Sequence, residues 1–185
     1  MIYFSSDWHL NHANIIKYTN RPFKTVQDMN DCILSRCNER VKKTDTLFFL
    51  GDLGFKSGTG RGEGEPEKLQ IYVDKIKCKN IVWVEGNHDK AGRNGFKTII
   101  RRLVVSHGGR LIGITHDPKF AEEKYDLNFC GHVHQLWMFK EILVGERYTT
   151  LVNVGVDVWN FYPVTFNEIN SKLIRWRKGN ENKSI

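Results

Sequence analysis

The sequence lacks the features that mark membrane proteins, disulfide scaffolds and zinc fingers. No apolar run approaches the roughly 20 residues that a bilayer-spanning helix needs, so a soluble protein with no membrane contact is expected. The four cysteines, Cys32, Cys37, Cys78 and Cys130, form no CxxC pair and follow no secretory leader. They read as reduced core thiols of a cytoplasmic protein. No internal repeat or linker interrupts the chain, and 185 residues suit one domain, 1–185, that needs no disulfides to hold its core. Acidic residues are the scarcer charge, 21 against 28 Lys and Arg. The resulting +7 suits a protein that handles anions such as phosphate esters or nucleic acid, although a solvated basic face accounts for it more simply than a nucleic-acid patch.

What the chain does have is a series of apolar segments, each running into metal-ligand residue types. Ile2-Tyr3-Phe4 leads to Asp7 and His9, Thr46 to Leu50 leads to Gly51-Asp52, and Ile81 to Val84 leads to Gly86-Asn87-His88-Asp89. Leu111 to Ile114 leads to His116-Asp117, and Leu127 to Cys130 leads to Gly131-His132-Val133-His134. Ligands of α/β proteins bind beyond the carboxyl ends of parallel strands, so these blocks are candidates for one shared site. In an extended segment, Asp7 with His9 and His132 with His134 would project to the same side.

Helical patterns alternate with the strands. Thr25 with Asp28 caps a helix to about Val41, and Pro66 opens another to Cys78 on Leu69, Val73 and Ile76. Pro118 opens a short helix to about Lys124. A Thr165/Glu168 capping box starts a final helix striped by Ile169, Leu173 and Trp176, with Gly179 as its stop. Gly108-Gly109 signals a hairpin, and Leu143-Val144 and Tyr148 to Val156 read as further, antiparallel strands. The fold class is α/β.

Asp7, Asp52 and Asn87 with His9, His116, His132 and His134 exceed the needs of one ion. Two ions about 3.5–4 Å apart can clamp the attacking and leaving oxygens of a displacement at phosphorus. They need a bridging anion, and Asp52 is the candidate. A mixed oxygen and imidazole shell without thiolate suits two divalent transition-metal ions, manganese first, with iron, zinc or nickel as alternatives, over magnesium or calcium.

The ordered blocks D-x-H, G-D, G-N-H-D, H and G-H-x-H resemble the calcineurin-like metallophosphoesterases, and the segment through Arg21-Pro22-Phe23 is similar to that of small bacterial and phage members. The resemblance implies a four-layer αββα sandwich of two mixed β-sheets flanked by helices. It implies a first metal held by Asp7, His9, Asp52 and His134, and a second held by Asp52, Asn87, His116 and His132. His88 would then donate a proton to the leaving oxygen, steadied by Asp89. Where many members follow G-D with a carboxylate and an arginine, this chain has Leu53-Gly54-Phe55-Lys56. The phosphate contact is left to Arg21, Lys56, Arg61 or His12, with Asn11 beside it. Asp117 could orient His116, and Trp137, Phe139, Trp159, Phe161 and Tyr162 could line a base-binding wall or simply fill core.

The expected function is hydrolysis of a phosphate ester, with a phosphodiester or nucleotide substrate favoured over a monoester or phosphoprotein. A metal-bridging hydroxide would attack in line while His88 assists departure. The competing class is a nucleic-acid-binding module that keeps its metals for structure.

Overall fold

Alternation along the first strand sets the layering: Tyr3 is buried in one core and Phe4 in another, as neighbours on a pleated strand must be. The computed structural model describes residues 1–55, 69–89 and 100–181. In chain order the elements are β1 (Ile2–Ser5), α1 (Ala13–Tyr18), α2 (Val26–Arg40), β2 (Thr46–Phe49), α3 (Gln70–Lys75), β3 (Asn80–Trp83), β4 (Arg102–His107), β5 (Arg110–Thr115), β6 (Leu127–Cys130), β7 (Phe139–Val144), β8 (Arg147–Asn153), β9 (Val164–Thr165) and α4 (Phe166–Glu181).

The first sheet has order β3-β2-β1-β9, parallel except for β9. The second has order β4-β5-β6-β8-β7, with β5, β6 and β8 parallel and an antiparallel strand at each edge. Two mixed sheets with flanking helices are thus the architecture, as expected. Trp8, Leu47, Phe49 and Trp83 pack against Met29, Ile33, Leu34 and Cys37 of α2, forming the core between helices and first sheet. Phe4, Leu50 and Val84 meet Ile112, Ile114, Phe129 and Val152 between the sheets, where Ile169 and Leu173 of α4 join them. No helix among the described residues is long and apolar enough to cross a membrane.

Local chemistry explains most boundaries. Thr25 accepts from the Asp28 amide at 3.1 Å at the start of α2. Glu168 accepts from the Thr165 amide at 2.8 Å at the start of α4. Gly108 and Gly109, at φ 58° and 73°, make the two-residue turn that joins β4 to β5. The helix expected from Pro118 to Lys124 is only a 3-10 turn, Pro118–Phe120. Asn128 accounts for its end, because it accepts from the Glu122 amide at 3.1 Å and donates to the Glu122 carbonyl at 3.0 Å. Gly179 does not stop α4, which continues to Glu181; a glycine ends a helix by turning to positive φ, and Gly179 stays helical. The six-residue α1 has no counterpart in the expected elements.

Candidate metal centre

Both sheets direct the carboxyl ends of their parallel strands to one place. β1 delivers Asp7 and His9, β2 Asp52, β3 Asn87 and His88, β5 His116, and β6 His132 and His134. The paired ligands are not aimed by extended backbone, as the spacing suggested. Asp7, His9, Asp52, His132 and His134 all sit at positive φ, 58°, 50°, 57°, 70° and 48°. Left-handed backbone costs a non-glycine residue about 1–2 kcal/mol, and it persists where surrounding bonds over-determine it. Here Asp7 N donates to Gly51 O, and His9 N to Asp52 O, both at 3.0 Å. His132 N donates to the Asp7 carboxylate, also at 3.0 Å. Two glycines permit this approach: a Cβ on Gly86 would lie 2.2 Å from Asp52 Oδ1, and one on Gly131 would lie 1.9 Å from Ser6 Oγ.

Asp52 is central. Its Oδ2 lies 3.5 Å from His9 Nε2 and 3.4 Å from His116 Nε2, and its Oδ1 accepts from the His88 amide at 2.9 Å. Asn87 Oδ1 lies 2.8 Å from both His116 Nε2 and His132 Nδ1. Ligand atoms of Asp7, His9 and His134 lie within 4.8 Å of one another, as do those of Asp7, Asp52 and His116. Three imidazoles are held from behind. His116 Nδ1 donates to Leu50 O at 2.7 Å, His134 Nδ1 to Asp157 Oδ2 at 3.0 Å, and His9 Nδ1 lies 3.4 Å from His12 Nδ1. Such bonds fix which ring nitrogen faces the site.

The electrostatics match a cation site. Burial pushes the Asp7 carboxyl up and the His9 imidazole well down. Burial lowers His12 too, to about 4, helped by His88 and Arg21. Burial opposes charge on His116, yet Asp52 and Asp7 outweigh it and push that imidazole up to about 9. Burial likewise opposes charge on Asp52, but His116, His9 and the His88 amide hold it below its ordinary value. Among the described residues, the buried His9 Nε2 has no hydrogen-bond partner. A buried polar atom is normally satisfied, and an orphaned imidazole nitrogen facing two carboxylates fits divalent metal ions as the family implies.

The other expected residues divide. His88 is exposed beside the cluster, its ring 5.3 Å from that of His9. Asp89 joins the two loops beside it, because its Oδ2 accepts from the amides of Gly86 and Asp52, both at 2.8 Å. Asp117 does not serve His116, since it caps Lys119 N and pairs with Lys119 Nζ. Arg21 does not open onto the cleft. Its side chain is 0 % exposed, and it donates to Asp157 through Nε at 2.7 Å and Nη2 at 2.9 Å, and to the carbonyls of Trp8 and Asp7. Lys56 and Arg61 lie outside the described residues. Phe139, Trp159 and Phe161 are buried core rather than a wall. Asp157 was missed as a site residue. Its signal was present in Asn153-Gly155-Asp157 following β8, one more strand end with ligand-type residues.

Comparison with known proteins shows the family and the fold. An uncharacterized protein of Methanocaldococcus jannaschii is 34% identical over 173 residues, covering 91% of this chain and 88% of the relative. The crystal structure of a protein of unknown function from Aquifex aeolicus has the same fold, with a TM-score of 0.67 over 92% of this chain and 98% of that one, at 24% identity. The calcineurin-like phosphoesterase superfamily domain matches residues 1–161, and the chain belongs to that superfamily.

Proposed function

We propose that this protein hydrolyses phosphodiesters, nucleotide esters in particular, at a two-ion centre. The observation that carries the reading is the position of Asp52 Oδ2, between His9 Nε2 at 3.5 Å and His116 Nε2 at 3.4 Å. It stands where a carboxylate would bridge two ions. Asp7, His9, Asp52 and His134 would hold one ion, and Asp52, Asn87, His116 and His132 the other. Bound there, a pair of manganese ions, or iron, zinc or nickel, would acidify water and neutralise charge on the phosphoryl oxygens.

The chain's own residues supply the rest. The His88 amide donates to Oδ1 of Asp52, the proposed bridging carboxylate, which anchors the His88 backbone beside the site, where its ring would hold a proton for the leaving oxygen. Asp89 ties the β3 loop to the β2 loop beside that anchor. The buried Arg21 is fully engaged, which removes one ready clamp for the second charge of a monoester and favours a singly charged diester. The free cysteines suit a reducing cytoplasm.

Manganese-loaded protein offered a bis-aryl phosphate, an aryl phosphate, cyclic nucleotides and short RNA should turn over the diesters fastest. Preference for the monoester would overturn the diester reading, and no turnover of any ester would favour a binding module. His88→Ala should lower turnover about 10²- to 10⁴-fold, the usual worth of a positioned acid, with two ions still bound by metal analysis. Asp52→Asn should lower metal occupancy itself.

A further inference from the structure

The block after Asp52 places Phe55 near the site, and the structure gives that ring a defined position. The Phe55 amide donates to Leu10 O at 2.8 Å, and Gly54 forms a parallel bridge with Leu10. The backbone is thereby fixed to the first block. The Phe55 ring stacks on His12 with centroids 4.1 Å apart and planes 27° apart, and lies 4.9 Å from the His88 ring. On the far side of His12, Tyr18 stands edge-on at 6.3 Å and is 69 % exposed. The rings thus form a row, Tyr18, His12, Phe55, that ends at the exposed His88, the proposed proton donor.

Phosphate groups do not need such a row, whereas planar groups do. Nucleobases stack on aromatic side chains whatever their sequence, each stack being worth a several-fold to hundredfold change in binding. Because Phe55 touches His88, the row lies on the side from which the leaving group departs. We propose that Phe55, with His12 stacked behind it and Tyr18 at the outer end, is a stacking shelf that selects substrates carrying a nucleobase beside the scissile phosphate on the leaving-group side. This rests on the phosphoesterase reading of the site. It moves base recognition from the aromatics of residues 137–162 to a segment that begins within the first block.

The test uses manganese-loaded protein and two probes, AMP and inorganic phosphate, with binding measured by calorimetry. Phe55→Ala should weaken AMP about tenfold, in the range of one lost stack, and leave phosphate within about twofold. Phe55→Leu, which keeps apolar bulk without a ring, should behave like alanine, and Phe55→Trp like wild type. In turnover, Phe55→Ala should raise KM for a dinucleoside monophosphate and leave a dialkyl phosphodiester unchanged. Equal losses for base-bearing and dialkyl esters, or AMP binding indifferent to Phe55, would overturn the shelf and leave Phe55 as a support for His88. If no ester is hydrolysed while AMP binding still depends on Phe55, the shelf stands and the phosphoesterase reading fails.

Discussion

At the scale of single residues, the largest surprise is a buried ion pair behind the metal site. Arg21 and Asp157 lie 136 positions apart in sequence, and two of the guanidinium nitrogens bond the two carboxylate oxygens. Burial opposes the charge on Asp157, but His134 and Arg21 hold it down to about 2. The same guanidinium reaches the Trp8 and Asp7 carbonyls, so one side chain steadies both the left-handed turn around Asp7 and the ring of His134. Arg21→Lys keeps the charge and loses the planar fork. It is expected to weaken metal binding by about 10- to 100-fold, the usual effect of losing a ligand's supporting partner, and Asp157→Asn should act in the same direction. Titration against a competing chelator measures both, and wild-type affinity in the two variants would dismiss the positioning role. The candidate ligands that the structure gathers were legible in the sequence because metal chemistry admits few residue types and strand ends expose them. The pairing of Arg21 with Asp157 was not, since no local pattern links residues that meet only after both sheets close.

At the scale of elements, the segments that could be read were those whose ends carry their own chemistry. The starts of α2 and α4 were legible from Thr25, Thr165 and Glu168, because capping bonds are made within four residues, whereas the end of α4 was not. α1 was not, since six residues are too few to show a helical period, and a helix of that length depends on tertiary packing. The turn after Pro118 was misread because the competing partner, Asn128, comes from β6. The α4 cap makes a testable case. Glu168 accepts from Thr165 and pairs with Arg40. Burial opposes its charge, but those bonds hold its carboxyl below the ordinary 4.5. A depressed carboxyl contributes stability that is present above the unfolded value and lost as pH falls through the folded one. Glu168→Gln, which can keep the capping bond but loses the charge facing Arg40, should therefore cost up to about 1 kcal/mol at pH 7, the scale of an exposed ion pair, and the gap from wild type should close below pH 4.5. Denaturant melts at pH 7 and pH 3.5 decide it; a gap that persists in acid would show that the charge is not what matters.

At the scale of the whole molecule, the centre is where the two sheets are tied together. His116 of the second sheet donates to Leu50 of the first, and His132 N to the Asp7 carboxylate. Val156 N reaches Ser6 O at 3.1 Å. The alternation of strands and helices showed an α/β protein, yet the strand order, with β8 beside β6 and β9 beside β1, depends on contacts between distant segments. The family resemblance of the ordered motifs implied two mixed sheets but not this order. The arrangement places the buried carboxylates of Asp7 and Asp52 together at the seam of the two layers, and desolvation raises Asp7, so a cation bound between them would offset a cost that burial imposes. A ligand that binds only the folded state stabilises it by RT ln(1 + [L]/Kd), about 2.7 kcal/mol at a hundredfold excess over Kd. For a chain of this size that corresponds to a rise in melting temperature of roughly 5–10 °C. Manganese should produce it, a chelator should reverse it, and Asp52→Asn should abolish most of it while His88→Ala leaves it intact. A melting temperature indifferent to metal in the wild type would mean that the carboxylates are satisfied without an ion and that the seam holds on packing alone.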